Sequence, residues 1–271
     1  MSDLPAPARH RSPNSLYDAL AAGYDASYAV PGHRKAYDVL AWERVTSFLP
    51  PAPATVIDAG CGTGRWVEKF LDLGHRVIGI EQAPGMREVI ASRDLGAGFT
   101  LVPESMETAS IEPGSADLVV AMGSTQFTSS PADTIRRFAG WVRPGGHVCV
   151  YVDSRLALIL ELLRLDRREE ALLRLRTGRG VWAVDGTEAD VHLYDHAELR
   201  RDFLAAGLED VSGHGLLVSA STIGSAGCTK AMQEDEAAFL ALERVLSDDA
   251  LMIDAGKHLF MSGRRPVATP A

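Results

Sequence analysis

The sequence is poor in cysteine and contains no long run of apolar residues. Its three cysteines, Cys61, Cys149 and Cys228, lie far apart and form no C-x-x-C pair. We therefore predict reduced thiols and no metal site. No stretch of about 18 apolar residues occurs, so no membrane span is predicted. The first residues, MSDLPAPARHRSPNS, lack the apolar segment of a secretory signal, and a cytoplasmic location is expected.

Positive charge is also scarce in this chain of 271 residues. Lysine and arginine number 27 against 36 aspartates and glutamates, which gives a formal charge of −9. This balance weighs against a nucleic-acid backbone as the main partner, because such binding depends on basic patches. We expect a small-molecule partner, no nucleic acid and no membrane, and a monomer or homodimer. Apolar residues make up 46% of the chain, enough for the core of one large domain.

Apolar runs alternate with helical patterns along most of the chain. TVIDAG at 55–60 and HRVIGIE at 75–81 indicate two strands joined by a helix. Such a βαβ unit implies parallel strands. Continuous apolar strands are typical of parallel sheets that helices cover on both faces. Seven such segments predict an α/β fold: a Rossmann-like, mostly parallel seven-stranded sheet with helices on both faces, N-terminal helices and an inserted helical lid.

The turn after the first strand contains three glycines, in the order G-x-G-x-G from Gly60 to Gly64. A dinucleotide site would require G-x-G-x-x-G, so the third glycine comes one residue too early. Asp58 precedes the turn, and a carboxylate there repels phosphate but suits an ammonium group. S-adenosylmethionine carries an ammonium, a sulfonium and a ribose diol, and no phosphate. Gly60 and Gly62 have no Cβ, which permits a close approach of such a ligand to the backbone.

Five spaced motifs strengthen this interpretation. They are VIDAGCGTGRW, VIGIEQAPGM, VPESME, ADLVVAMGSTQF and FAGWVRPGGHVCV. Together they resemble the class I S-adenosylmethionine-dependent methyltransferases that act on small molecules, over residues 15–153. The resemblance implies S-adenosyl-L-methionine as the cofactor.

The resemblance also implies which residues bind that cofactor. Glu81 is expected to take the ribose hydroxyls, Glu104 and Ser105 to contact adenine, and Met86 to form a wall against it. A tyrosine of the N-terminal helix is expected to cover the cofactor. The complete expected set is Tyr17, Tyr24, Asp58, Gly60, Cys61, Gly62, Glu81, Gln82, Met86, Glu104, Ser105, Met106, Met122 and Gly123.

The organisation of the chain follows from the same patterns. We predict a disordered lead over 1–13, an N-terminal helical cap over 14–50, a cofactor-binding core over 51–153, a helical insertion over 154–190 that acts as a substrate lid, a C-terminal part of the core over 191–265 with a helical insertion near 230–256, and a tail over 266–271.

Residues for the transfer chemistry are harder to identify. A hydroxyl acceptor needs a general base, whereas a neutral amine needs mainly alignment and desolvation. His33 and His192 are the candidate bases, because a histidine titrates near neutral pH. His258 begins a predicted strand and is interpreted as structural. Six arginines between 164 and 179 form either a solvated helix face or a site for an anionic substrate group.

The sequence therefore favours a methyltransferase for a small molecule. O-methylation of a secondary metabolite, as in antibiotic biosynthesis, is the first hypothesis, and N-methylation of an amine or peptide is the second. Two other classes stay open, an NAD-binding oxidoreductase and a non-catalytic cofactor-binding module. The glycine spacing argues against the oxidoreductase, and the intact motifs argue against the module.

Overall fold

The computed structural model describes residues 13–184 and 187–267. Residues 1–12 of the predicted lead over 1–13, and residues 268–271 of the predicted tail, lie outside this part of the chain, whereas Pro13 begins a helix. The strands are β1 (Thr55–Ala59), β2 (Arg76–Ile80), β3 (Phe99–Val102), β4 (Ala116–Met122), β5 (Val142–Asp153), β6 (Arg179–Val184), β7 (Thr187–His192), β8 (Glu209–Leu216) and β9 (His258–Arg264).

Seven of these strands form one sheet in the order β3-β2-β1-β4-β5-β9-β8. The strands from β1 to β5 pair in parallel. β9 runs antiparallel to both of its neighbours, β5 and β8. The predicted mostly parallel seven-stranded sheet is therefore confirmed, with one strand reversed.

Helices cover both faces of the sheet, as predicted. They are α1 (Pro13–Leu20), α2 (Ala26–Ala29), α3 (His33–Thr46), α4 (Arg65–Asp72), α5 (Pro84–Ala91), α6 (Pro131–Trp141), α7 (Arg155–Arg164), α8 (Arg168–Thr177), α9 (His196–Ala205) and α10 (Ala220–Asp248). Successive side chains of a strand point to opposite faces. Val56 accordingly packs in the core with α3, α4 and α10, and Ile57 packs in the core with α6 and α9.

The region predicted as a helical insertion, 154–190, contains more than helices. α7 and α8 are followed by an antiparallel hairpin of β6 and β7, which pair separately from the main sheet. The prediction was incomplete because leucine-rich helical periodicity dominates the segment. The hairpin has a weaker signal, a pair of short strands flanking Asp185 and Gly186, a dipeptide common in hairpin turns. Those two residues lie outside the described part of the chain.

A buried carboxylate joins the N-terminal helices to the core. Asp38 on α3 accepts hydrogen bonds from the indole of Trp66 at 2.8 Å and from Lys69 at 2.9 Å, and its Oδ1 lies 2.6 Å from a guanidinium nitrogen of Arg65. Burial would raise the pKa of Asp38, but Arg65 and Lys69 outweigh burial and hold it below its usual value. The ionised carboxylate thus fixes α3 against α4.

Asp38→Asn should lower the free energy of unfolding by about 2 kcal/mol at neutral pH, because charge-assisted hydrogen bonds are lost. Since the folded-state pKa is lowered, the contribution is present above about pH 4 and is lost on acidification through that value. Urea unfolding at several pH values measures both effects. Asp72→Asn, on the exposed side of α4, is the control and should change stability by less than about 0.5 kcal/mol. An equal effect of both substitutions would contradict this role of Asp38.

Candidate active site

Two adjoining cavities lie at the carboxyl ends of the parallel strands. The large cavity has a volume of about 390 Å³ and the small cavity about 70 Å³. Ligands of open α/β sheets gather at this edge. The residues that line both cavities are Tyr17, Tyr24, Gly60, Gly62, Met122, Gly123 and Phe127. The cavities are therefore two parts of one site that share a wall.

The glycine turn supplies the centre of this shared wall. Gly60 and Gly62 have φ values of 85° and 56°, in the left-handed region that favours glycine. A Cβ built on Gly60 would lie 2.4 Å from the Cβ of Ser124, so no side chain fits there. The turn therefore presents bare backbone to the cavities, as a close-packed ligand requires.

Asp58 lies at the end of β1 and lines the large cavity. Its Oδ2 is buried and has no hydrogen-bond partner among the described residues. Burial raises the pKa of the Asp58 carboxyl to about 7, and the Glu81 carboxylate adds to the rise. A buried carboxylate oxygen without a partner is costly unless a ligand provides one. The ammonium group of S-adenosylmethionine fits this requirement.

Glu81 follows β2 and lines the small cavity. Its Oε2 accepts a hydrogen bond from the backbone N–H of Gly62 at 2.9 Å, and its Oε1 accepts one from Ala83 at 2.7 Å. These bonds fix the orientation of the carboxylate, and each oxygen retains a lone pair for a ligand. A carboxylate with two available acceptors suits a vicinal diol such as a ribose.

Most other residues expected to contact the cofactor also line a cavity. Gln82, Met86, Glu104 and Met106 line the small cavity, and Cys61 lines the large one. Two buried methionines beside Glu81 provide apolar walls for a flat ring. Together with Asp58 and the glycine turn, these residues fit S-adenosylmethionine.

Ser105, however, is not among the lining residues of either cavity. Its Oγ accepts a hydrogen bond from the backbone N–H of Glu107 at 3.2 Å and so stabilises the local turn. The expected contact between Ser105 and adenine therefore has no support in the geometry.

The two candidate bases, His33 and His192, also differ in whether they line a cavity. His33 lines the large cavity. His192, at the end of β7, lines neither cavity, and its Nε2 lies 3.0 Å from Oε1 of Glu198. The expectation of a catalytic role for His192 is therefore not supported, because its ring is engaged away from the site.

The six arginines of the insertion also lie elsewhere. None of them lines either cavity, and several pair with carboxylates of the same segment. Arg168 lies 2.8 Å from Asp166, and Arg174 lies 3.0 Å from Glu170. The sequence left open whether these arginines form a solvated helix face or a site for an anionic substrate group. Their positions support the solvated face, with local ion pairs.

The structure instead brings His258 into the site, a residue interpreted from the sequence as structural. His258 lines the large cavity, and its Nδ1 lies 2.9 Å from Oδ1 of Asp153. Oδ2 of Asp153 accepts a hydrogen bond from the amide of Gln126 at 3.0 Å. Because an ionised carboxylate only accepts, Nδ1 of His258 carries the proton, which leaves Nε2 as a hydrogen-bond acceptor.

The surroundings of His258 keep it neutral. Burial lowers the pKa of the imidazole, although the hydrogen bond to Asp153 opposes that effect. Nε2 is buried and has no partner among the residues that the structure describes. The rings of Tyr37 and Tyr151 pack against the imidazole at centroid distances of 4.8 and 4.5 Å. His258 is therefore a neutral imidazole on the cavity wall whose Nε2 has no partner among the described residues, as a general base requires.

Aromatic side chains close the site from two directions. Tyr17 on α1 contacts Phe127 at a centroid distance of 5.6 Å and Trp182 of the hairpin at 5.8 Å. The N-terminal helix and the insertion thus meet over the cavities. Tyr24 and Tyr37 lie at the two ends of a chain of hydroxyl contacts through Tyr28, at 3.2 and 2.9 Å.

Two further features bear on partners. Within residues 13–184 and 187–267, none of the helices combines the length and the apolar character that crossing a bilayer requires. The same residues contain no group of three histidine, cysteine or acidic side chains close enough to hold a metal ion.

Comparison with known proteins relates this site to a family. Residues 57–150 match the family described as "Methyltransferase domain". The ubiquinone biosynthesis O-methyltransferase of Xanthomonas axonopodis pv. citri is 34% identical over 176 residues, which are 63% of this chain and 70% of that protein. The enzyme of the same name from Ralstonia nicotianae is 34% identical over 107 residues, which are 38% of this chain and only 45% of that protein.

A solved structure shows the same fold. Phosphoethanolamine N-methyltransferase 2 of Haemonchus contortus, in complex with S-adenosyl-L-methionine, has a TM-score of 0.58 to this chain at 15% sequence identity. The match covers 84% of this chain and 53% of that protein. At this identity, the comparison concerns the fold alone.

Glu81→Ala should weaken S-adenosylmethionine binding about tenfold or more, because charge-assisted hydrogen bonds to the ribose are lost. Titration calorimetry measures the affinity. Glu88→Ala, on the exposed face of α5, removes the same charge outside the cavities and should leave the affinity unchanged. Unchanged affinity in Glu81→Ala, or tighter binding of NAD than of S-adenosylmethionine, would refute the assignment.

The raised pKa of Asp58 gives a second prediction. A bound ammonium stabilises the ionised carboxylate, so binding should become tighter as the pH rises toward the unliganded pKa of about 7. We expect affinity about tenfold higher at about pH 7 than at about pH 5.5. Calorimetry over this range should show weaker and less pH-dependent binding for Asp58→Asn. A pH dependence that persists unchanged in this variant would show that another group is responsible.

Proposed function

The chain belongs to the class I S-adenosylmethionine-dependent methyltransferases, and on that premise we propose that it methylates a hydroxyl oxygen of a small aromatic acceptor. One observation carries the choice of oxygen: the pair of His258 and Asp153 on the wall of the large cavity. A hydroxyl must lose its proton as it is methylated, whereas a neutral amine can be methylated before it loses one. A positioned base therefore favours a hydroxyl acceptor.

The proposed mechanism assigns one task to each residue of this pair. When bound, S-adenosylmethionine supplies a methyl group that its sulfonium already activates. Nε2 of His258 accepts the proton of the acceptor hydroxyl. Asp153 holds the imidazole through Nδ1 and stabilises the imidazolium that results. Gln126 orients Asp153 from the other side, because its amide donates to Oδ2.

The remaining walls align the acceptor and exclude water. Aromatic rings line the large cavity, among them Tyr28, Tyr37, Tyr151, Phe127 and Trp182. Such rings form flat, rigid contacts that suit an aromatic acceptor. The contact of Tyr17 with Phe127 and Trp182 closes the site between the N-terminal helix and the insertion. Exclusion of water protects the activated methyl group from hydrolysis.

The relatives support the same reaction type. Two of them are named ubiquinone biosynthesis O-methyltransferases, and both act on oxygen by name. Because the chain spans less than half of one and seven tenths of the other, the acceptor of those proteins is not transferred here. The earlier hypothesis of a secondary metabolite remains a prediction that only an identified acceptor can test.

The proposed function is tested by mass spectrometry. The protein is incubated with methyl-labelled S-adenosylmethionine and a panel of small phenols, matched anilines and alkylamines. Label on oxygen of a phenol is the expected result. Label on nitrogen alone would overturn the proposal in favour of N-methylation.

His258→Ala should lower the rate of methyl transfer about 10²- to 10⁴-fold, the range that a general base contributes. The affinity for S-adenosylmethionine should be unchanged, because His258 is not among the residues expected to contact the cofactor and lies outside the small cavity. Since burial lowers the pKa of His258, the wild-type rate should stay constant near neutral pH and fall only below about pH 6.5. Single-turnover rates across pH measure this profile.

His192→Ala is the matched control for this substitution. It also removes an imidazole paired with a carboxylate, but away from the cavities, and it should retain the wild-type rate. Equal losses in the two variants, or an unchanged acid limb of the profile in His258→Ala, would exclude His258 as the base.

A further inference from the structure

Among the described residues, one cation of the large cavity has no anionic partner. Arg65 pairs with Asp38, and Lys257 lies 3.5 Å from Glu161. For Arg34, no carboxylate lies within ion-pair distance in the part of the chain that the structure describes. Its guanidinium donates to the hydroxyl of Ser27 at 3.2 Å and lies 5.7 Å from the centre of the Tyr28 ring.

The local backbone makes this positive charge harder to accommodate. Arg34 is the second residue of α3, whose first turn also contains His33 and Lys35 and no acidic residue. The amino end of a helix carries partial positive charge, which favours anions. Lys35 pairs with Glu236 at 2.8 Å, and burial lowers the pKa of His33, so Arg34 is the charge of this turn that lacks a carboxylate partner among the described residues.

The charge of Arg34 bears on the candidate base more directly than on Asp58. Arg34 and Lys257 line the large cavity, as does Asp58, and neither lines the small cavity beside Glu81. Burial and the charges of Lys257 and Arg34 lower the pKa of His33 to about 4, and the same two cations act on the candidate base His258. The charge of Arg65, and not that of Arg34, acts on Asp58, where the cofactor ammonium is expected.

We propose that Arg34, assisted by Lys257, binds an anionic substituent of the acceptor, a carboxylate or a group of similar charge. We call these two residues the basic subsite. The inference rests on the proposed function and narrows its acceptor to a hydroxylated aromatic acid. Arg34 presents a planar fork of donors, which matches a carboxylate. Lys257 retains Ser225 and Glu161 as partners, so it contributes a secondary charge.

The basic subsite would also position the reacting oxygen. An acceptor held at its acidic group by Arg34, between aromatic walls, has only one end free to approach Nε2 of His258. Two nearby cations would further stabilise negative charge on a phenol oxygen as it loses its proton. The basic subsite would therefore both select the acceptor and align its reacting oxygen.

Matched probes test the proposal in the presence of S-adenosylhomocysteine. The probes are hydroxybenzoates, dihydroxybenzoates and hydroxycinnamates, each compared with its own carboxamide. Calorimetry with wild-type protein should show at least one carboxylate bound about tenfold more tightly than its amide. Arg34→Gln should reduce this preference to near unity, and Lys257→Gln should reduce it less. Arg176→Gln, an exposed arginine of α8, should keep the full preference.

The affinity for S-adenosylhomocysteine distinguishes the proposal from a rival explanation, in which Arg34 binds the carboxylate of the cofactor. It should change less than about twofold in Arg34→Gln. A tenfold loss of that affinity, with the carboxylate preference intact, would assign Arg34 to the carboxylate of the cofactor and overturn the proposal. The proposal also fails if the wild type prefers no carboxylate in any pair. Oxygen methylation of the amides in that case would leave the proposed function standing.

Discussion

The hydrogen bond between Asp153 and His258 depends on the direction of a single strand. β9 runs antiparallel to β5, and the register places His258 directly opposite Asp153. Asp153 ends its strand, whereas His258 begins its own. In an all-parallel sheet, the first residue of a strand lies at the edge remote from the ligand. Reversal of β9 therefore brings a strand-initial histidine to the edge where the cavities open, and the candidate chemistry follows from that reversal.

The buried Asp58 carboxylate on the cofactor side of the site lowers the stability of the unliganded folded protein. Asp58 is buried with an oxygen that has no partner among the residues that the structure describes, and its pKa is raised to about 7. Because the folded-state pKa lies above the unfolded value, ionisation of Asp58 destabilises the folded protein as the pH rises between the two. A ligand cation offsets this cost, so binding and folding are linked through one carboxylate. Perturbed carboxylates of this kind are typical of functional sites.

The sequence could predict the parallel sheet because its signals are local, and the motifs that carry the candidate cofactor residues lie in the same region. Asp58, Gly60 and Glu81 lie within one βαβ unit, where chain order alone determines which strand ends meet. The base could not be predicted in this way. Asp153 and His258 are 105 residues apart, and only the strand register brings them together. Without that register, the sequence offered His33 and His192 as candidate bases, and His258 was interpreted as structural because it begins a strand.

The two cavities are lined by residues from different parts of the chain. This difference explains why the sequence was informative about the cofactor and not about the acceptor. Among the described residues, all those that line the small cavity lie between Pro13 and Phe127. The large cavity adds residues from the end of β5 onward, including the insertion, α10 and β9. Changes in the insertion can therefore reshape the acceptor walls without touching the residues beside Glu81. The five motifs end at Val150, so they include none of the large-cavity residues from Tyr151 onward. An acceptor must for that reason be inferred from the charges and rings of the large cavity, and not from the motifs.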